Sequence, residues 1–578
     1  MYILGISAFY HDSSVCLMKD GKVLFAAQEE RFSRIKHDNN FPLKSIEKAL
    51  ASEDININDI EIISYYEKPF LKFERLIDTY KTHAPKGFLS FKKAIKATLG
   101  KKIWVEDIIR KQTKFKGEII FCEHHESHAA SAFFPSPFEE ATILTIDGVG
   151  EKTTASLAIG RNNKIEILEE QFFPHSLGLF YSAMTYYCGF KVNSGEYKLM
   201  GLAPYGKPIY TDKLKQAIKI NDNGSVELNL TYFNYEVGNR MTSKKFEVLM
   251  GNKKRNPESE MTAFYMDVAA STQKITEEAI LKMVAYGVHK TGIKNVCLAG
   301  GVALNCKANG ELLKSNFIDS LWIQPAAGDS GTALGATYIA WYHYLNKQRI
   351  IQEDSLANHG YLGTQYTQKE VQVILDQHQL IYHYLEIHES LNILAKELAK
   401  GKVVGWFQGK MEFGPRALCH RSILANPLIK DMKKHLNYAI KKREGFRPFA
   451  PVVKEDRSHE FFNILKPSKY MLNTYTSDKK KLIPSCIHED NTARVQTVNE
   501  KENPWFYQLL DAFEKQSGYP VLINTSFNVR GEPIVESPND ALSCFFSTDM
   551  DILFIEGLLV LKEENKSLQL NQTTYELD

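Results

Sequence analysis

The chain has 578 residues, of which 44% are hydrophobic and 24% charged, with a formal net charge of +2. That length exceeds what one core organises, so two or more domains of a globular protein are expected, and neither a disordered nor a fibrous class fits the composition. The near-neutral balance, without a basic tail, argues against nucleic acid as a principal partner, and eight cysteines with no C-x-x-C pair argue against zinc knuckles and disulfides and fit a reducing cytoplasm.

The chain opens MYILGISAFYHD, a strand-like run with no charged leader, so no signal peptide is expected. No apolar run reaches bilayer length, so no membrane partner is expected either. Residues 2–28 read as strand (YILGI), polar loop (SAFYHDSS), strand (VCLM), turn and strand (KVLFAAQ), and residues 142–170 repeat that plan as TILTI, DGVGEKT, ASLAIG and KIEILEE. Two such hairpins, each followed by helical segments, suggest a duplicated α/β domain with a cleft between its halves, the plan by which actin-like ATPases hold ATP.

In the first loop, His11 and Asp12 follow Tyr10. This pair either orients or deprotonates a hydroxyl acceptor, or Asp12 caps a turn; the residues leave both open. The charged run at 29–36, with Glu29, Glu30, Arg31, Arg34 and Lys36, reads mostly as a solvated face. In CEHHESHAASAFF, helical spacing puts His124 and His128 one turn apart on one face, able to share a metal, with Asp147 in DGVGE and Asp329 in GDSG as the carboxylates that would complete it. Two imidazoles and two carboxylates suit Fe(II), Mn(II) or Zn(II). Surface or hydrogen-bonded histidines are the competing reading.

Residues 193–208 (NSGEYKLMGLAPYGKP) read as a ligand-lining or connecting loop, and 275–288 as a core-facing helix. At 295–313 a buried strand breaks at Gly300 and Gly301 and a helix begins, which allows close backbone approach by an anion or nucleotide. A similar strand, GDSG loop and small-residue helix follow at 323–337. The pattern loosens past Tyr344, giving domains 1–345 and 389–578 with a linker at 346–388. In the second domain, arginines recur beside Gly, Pro and Phe in GKMEFGPRA (409–417), at Arg421, and in KKREGFRPFAP (441–451). This is either an anion pocket for a small phosphorylated substrate or a surface ion-pair network. The chain closes with a strand and polar loop (PVLINTSFNVRGEPIV), a helix capped by Ser537 and Pro538, and a strand (DILFIEGLLVL).

Together, GISAFYHDSS, EERFSRIKHD, HHESHAASAF, TIDGVGE, SGEYKLMGLAPYG, AGGVALN, GDSGTALGA, MEFGPRAL, REGFRPFAP, TARVQTV and NTSFNVRGEPIV resemble the carbamoyltransferase family that includes nodulation protein U and the antibiotic O-carbamoyltransferases. The resemblance implies an α/β protein with a duplicated actin-like N-terminal domain and a YrdC-like C-terminal domain. It implies a metal, iron expected, on His124, His128, Asp147 and Asp329. It implies carbamoyl phosphate contacts at Arg416 and Arg447, with Lys36 reaching over from the first domain, and nucleotide contacts at Arg494, Asn524 and Ser526. In the first domain the candidate nucleotide contacts are Asp147, Gly148, Gly300, Gly301 and Asn305. The implied reaction starts from carbamoyl phosphate and ATP with Mg2+, passes through carbamoyl-adenylate, and leaves the carbamoyl group on a hydroxyl of a small molecule or glycan, with His11 or Asp12 handling the proton. An oligomer is compatible with this. After GPRAL the family usually continues Gly-Asn, where this chain has Cys419 and His420, side chains large enough to reshape the pocket rim.

Three rivals make different predictions. An actin-like sugar kinase would release ADP rather than pyrophosphate. A tRNA-modification component would retain tRNA at moderate salt. A non-catalytic sensor would have no use for the metal set.

Overall fold

The computed structural model describes residues 1–238, 240–351 and 360–566. These form two compact units, Met1–Glu29 with His37–His359, and Glu30–Lys36 with Gly360–Asp578.

The first unit repeats one sheet plan twice. Its first sheet takes Tyr2–Ser7, Ser14–Lys19 and Lys22–Gln28 as an antiparallel meander, then adds Ile60–Tyr65 and Glu118–Phe121 parallel to the first strand. The second sheet does the same with Glu140–Ile146, Thr153–Arg161, Lys164–Phe172, Asn295–Ala299 and Ser320–Ile323. In both, the strand order is third, second, first, fourth, fifth, so the echo of hairpins is a duplication of topology. The central strands are buried on both faces, as their continuous apolar runs require. Small residues in the helix Thr332–Tyr338 serve packing: a Cβ on Gly335 would lie 1.8 Å from the carbonyl of Ser127, and one on Gly5 would lie 2.1 Å from that of Ala333.

The second unit is an eight-stranded mixed sheet with helices on both faces. Neighbouring residues on its strands alternate between two cores: Phe407 and Ile423 pack with the helices Gln368–Gln377 and Pro538–Phe546, while Trp406 and Leu424 pack with Ile387–Ala399 and Pro504–Ser517.

Four sequence expectations change. Residues 352–359 of the expected linker lie outside the described residues, but from Gly360 the chain belongs to the second unit, where Val371 and Leu375 are fully buried. The helix expected at 275–288 runs from Ala263 to Thr291. Residues 193–208 are not a loop but largely helical, with Glu196–Leu202 followed by a 3-10 turn at Ala203–Tyr205. DILFIEGLLVL is a hairpin, Ile552–Ile555 and Leu558–Leu561, turning through Glu556 (φ 44°) and Gly557 (φ 86°). Positive φ at both turn residues matches the twist of paired strands, a requirement that apolar runs on either side conceal.

Glu556 is 7% exposed. Burial pushes its carboxyl up to about 7 from an ordinary 4.5, against the opposing pull of Arg421. The unfolded chain releases this proton near 4.5 and the folded chain near 7, so stability falls as pH rises through that interval and stays lowered above it. Glu556→Gln is expected to stabilise the protein by up to about 3 kcal/mol above neutral pH and by almost nothing near pH 4. Urea unfolding at the two pH values checks this; an equal gain at both would contradict it.

Candidate functional site

The helix His124–Phe133 starts at the end of a short loop, and Glu151 accepts hydrogen bonds from the backbone N–H of His124 (3.0 Å) and of Lys68 (2.8 Å). This carboxylate satisfies a helix N-terminal donor and fixes the turn on which His124 and His128 stand. Their imidazoles meet Asp147, at the tip of the strand Glu140–Ile146, and Asp329, in the 3-10 turn Asp329–Gly331. His124 Nε2 lies 3.3 Å from Asp147 Oδ2 and 3.9 Å from Asp329 Oδ1; His128 Nε2 lies 3.5 Å from Asp329 Oδ1 and 3.9 Å from Asp147 Oδ2. One ligand atom from each of the four falls within 4.8 Å of the others, and all four residues are buried.

Donor chemistry and satisfaction together test whether a cation fits. Both carboxylate oxygens of Asp329 and Nε2 of His128 are buried without a hydrogen-bond partner. Buried carboxylate oxygens left that way are costly, and a divalent cation satisfies them while suiting two nitrogens and two oxygens. Burial alone would lower His124 and raise Asp147, but their mutual hydrogen bond and charges prevail, taking His124 up to about 9 and holding Asp147 well below the carboxylate range. His125 does not join the set. Its Nδ1 meets Thr145 Oγ1 at 2.5 Å, and burial pushes it well below the ordinary histidine range.

The backbone around Asp147 is crowded into place. Gly301 N–H donates to Asp147 Oδ1 (3.0 Å), turning Oδ2 towards the histidines, and Ser176 Oγ donates to the carbonyls of Asp147 (3.1 Å) and Gly148 (2.7 Å). Gly300 has φ 89°, and a Cβ there would lie 2.3 Å from the carbonyl of Ile146. Gly300→Ala is therefore expected to cost about 3 kcal/mol or more. Gly251→Ala, also at positive φ (76°) but with nothing near its Cβ, should cost about 1 kcal/mol. Thermal unfolding of the two variants checks the contrast, and equal costs would remove the close-approach argument. Asn305 caps the helix Cys306–Leu313 by accepting from Ala308 N–H (3.1 Å) and pairs its amide with Gln273.

His11 Nδ1 and Asp12 Oδ2 are 2.9 Å apart, and His37 Nδ1 meets the other oxygen of Asp12 at 2.8 Å. Asp12 therefore bridges two imidazoles: it holds His11 by Nδ1, and His11 Nε2 lies 3.4 Å from Asp329 Oδ2. Burial lowers His11, but the charge of Asp329 and the bond to Asp12 outweigh it, and His11 rises to about 10.

In the second unit, topology gathers the expected anion-binding residues. Arg416, Arg447 and Arg494 precede the strands Arg421–Ala425, Ala450–Lys454 and Gln496–Val498. Val521–Ser526 is antiparallel to the first two, and the third is parallel to the second, so three strand starts and Ser526 share one end of the sheet. Asn524 lies one step inside, donating to Gln496 Oε1 (2.7 Å) and the Ala417 carbonyl (3.2 Å), with a buried Oδ1 that accepts nothing.

The run at 29–36 is not a solvated face. Glu29 accepts from the Ser45 hydroxyl (2.6 Å) in the first unit. In the second unit, Arg31, 1% exposed, donates to the Gly414 carbonyl (2.7 Å), and Arg34 binds Glu532 (2.9 Å) and the carbonyls of Pro533 and Ile534. Lys36 ends this segment and is grouped with the second unit. Arg421 does not belong to an anion pocket: it is fully buried, stacked 3.5 Å over Phe407, and donates to the carbonyls of Gln408 and Gly409. Cys419 takes φ 73° and packs its thiol against Gln496 and Asn524, and His420 stacks on Tyr361 at 3.8 Å.

Sequence reasoning missed Lys441. Lys441 is 2% exposed, and its Nζ donates to the carbonyls of Ser526 and Asn528 (both 2.7 Å) and to Asn528 Oδ1 (2.6 Å). Burial, then the charges of Arg443 and Arg447, hold it well below the ordinary lysine range. It stands among similar cations in KKREGFR, with no local signal to single it out. Ser176 and His37 were missed for the same reason.

Residues 2–338 match the family model Carbamoyltransferase N-terminus, and residues 395–562 match Carbamoyltransferase C-terminus. An uncharacterized protein of Synechocystis sp. is 46% identical over the full length of both chains. Nodulation protein NolNO of Sinorhizobium fredii is 34% identical over 96% of this chain and 80% of its own. Nodulation protein U of the same organism is 27% identical over 97% of this chain and 99% of its own.

Proposed function

This chain belongs to the carbamoyltransferase family, and from that premise we propose that it consumes carbamoyl phosphate and ATP, forms carbamoyl-adenylate, and carries the carbamoyl group to a hydroxyl of a small molecule or glycan. The observation that carries this reading is the buried cluster of His124, His128, Asp147 and Asp329, with unsatisfied carboxylate oxygens beside His11. Those four residues would hold a divalent ion, Fe(II) by resemblance, which when bound supplies Lewis-acid polarisation of a carbonyl or phosphoryl oxygen.

The chain's own groups divide the remaining work. Arg416, Arg447 and Arg494, with Lys36, would bind the phosphates and offset negative charge as water converts carbamoyl phosphate to carbamate and phosphate, and a carbamate oxygen then attacks the α-phosphorus of ATP to form carbamoyl-adenylate and release pyrophosphate. Lys441 holds the turn that follows Ser526, keeping that wall of the site rigid. Asp12 holds Nδ1–H of His11, so Nε2 takes the proton of the attacking hydroxyl while AMP leaves the carbamoyl carbon. A cation held by His124, His128, Asp147 and Asp329 would offset the charge of Asp329 that raises His11.

The test is pyrophosphate release by the purified protein with ATP and Mg2+, with and without carbamoyl phosphate. Release that requires carbamoyl phosphate supports the adenylate. Phosphate and ADP in its place would favour a kinase and overturn the reading.

A further inference from the structure

Residues 68–104 hold ten lysines and arginines against two carboxylates, in a chain whose total net charge is only +2. Within this stretch the helix Phe88–Ala97 contains no buried residue, and the preceding helix Pro69–His83 buries only Pro69. The two are joined by ring contact, Phe91 stacked on Tyr80 at 4.0 Å, which uses one face of the second helix. The outward face, at spacings of three and four, carries Leu89, Lys92, Lys93 and Lys96 and continues to Leu99, all exposed. Leu89 is 80% exposed, Leu99 47%, and the flanking Phe88 and Trp104 52% and 53%.

We propose that this face docks on an anionic lipid bilayer surface. Three lysines with no acidic residue between them complement anionic headgroups, and their methylene stems run beside leucines that a bilayer interface buries. Trp104, whose indole N–H donates to the Leu99 carbonyl (2.8 Å), lies at the end of this face, and an indole at headgroup depth is favoured. A nucleic acid would complement the lysines but give nothing for Leu89 and Leu99, and an acidic protein has no counterpart here in backbone or groove. No helix among the described residues is long and apolar enough to cross a membrane. The proposed contact is therefore peripheral.

Full-length protein is sedimented with vesicles of phosphatidylcholine alone and of phosphatidylcholine with phosphatidylglycerol. Binding is expected only to the mixed vesicles, weakening as salt rises. Each lysine contributes about five-fold, so Lys92→Glu/Lys93→Glu/Lys96→Glu should lower binding by at least about a hundredfold with the circular dichroism spectrum unchanged. Brominated lipid should quench tryptophan fluorescence in the native chain and not in Trp104→Phe. The proposal is overturned if the mixed vesicles bind nothing, if the triple variant binds as well as the native chain, or if heparin is bound and vesicles do not compete with it.

Discussion

Asp329→Asn is expected to abolish binding of the divalent metal proposed for the first unit while leaving carbamoyl-phosphate-dependent pyrophosphate release in place. Asp329 is 1% exposed and supplies two oxygens with no hydrogen-bond partner, lying 3.5 Å from His128 and 3.4 Å from His11. An amide is nearly the same size, so packing is kept, but its oxygen is a weak ligand and its NH2 faces the histidines. Loss of an outer partner of a ligand already costs ten- to a hundredfold in metal affinity, so loss of a ligand should cost at least about a hundredfold, with transfer to a hydroxyl falling by at least as much. Metal content by elemental analysis is read beside both half-reactions. An unchanged metal content, or a pyrophosphate signal lost together with transfer, would separate this residue from the role proposed for it.

Arg447→Ala should behave in the opposite way, lowering pyrophosphate release and transfer together by about 10²–10³ while metal content stays unchanged. The arginine is half-buried on a turn held by Asn437, which donates to the Arg447 carbonyl (3.0 Å), and beside Arg443, whose Nε donates to Asn437 Oδ1 (2.8 Å). Because the backbone is fixed through Asn437, truncation removes the charge without releasing the loop. Arg447→Lys restores charge but not the planar fork, so recovery should be partial. Full recovery by lysine would mean that only charge is needed there, and no loss in the alanine variant would remove Arg447 from the phosphate step.

His124 and His128 were legible because a helix places positions four apart on one face whatever surrounds it. The repeated hairpins were legible because alternation and turn residues act over a few positions, and Gly300 because a strand-end glycine pair has few other uses. Burial of charge was not legible by such means. Arg31 is buried by a carbonyl 383 positions away, at Gly414, and Arg34 by Glu532, 498 away. A charged run reads as solvated until those acceptors are in place.

The same holds for Lys441, whose acceptors begin at Ser526, 85 positions on, and for Asp12, shared between His11 and His37. Local pattern, acting through backbone geometry, determined the duplicated α/β plan, the helix that carries His124 and His128, and the glycine turns. Only tertiary structure decided which charges are anchors, which arginine is core and which histidine orients Asp12, because a buried polar group is stabilised by partners that chain folding alone brings within hydrogen-bond reach.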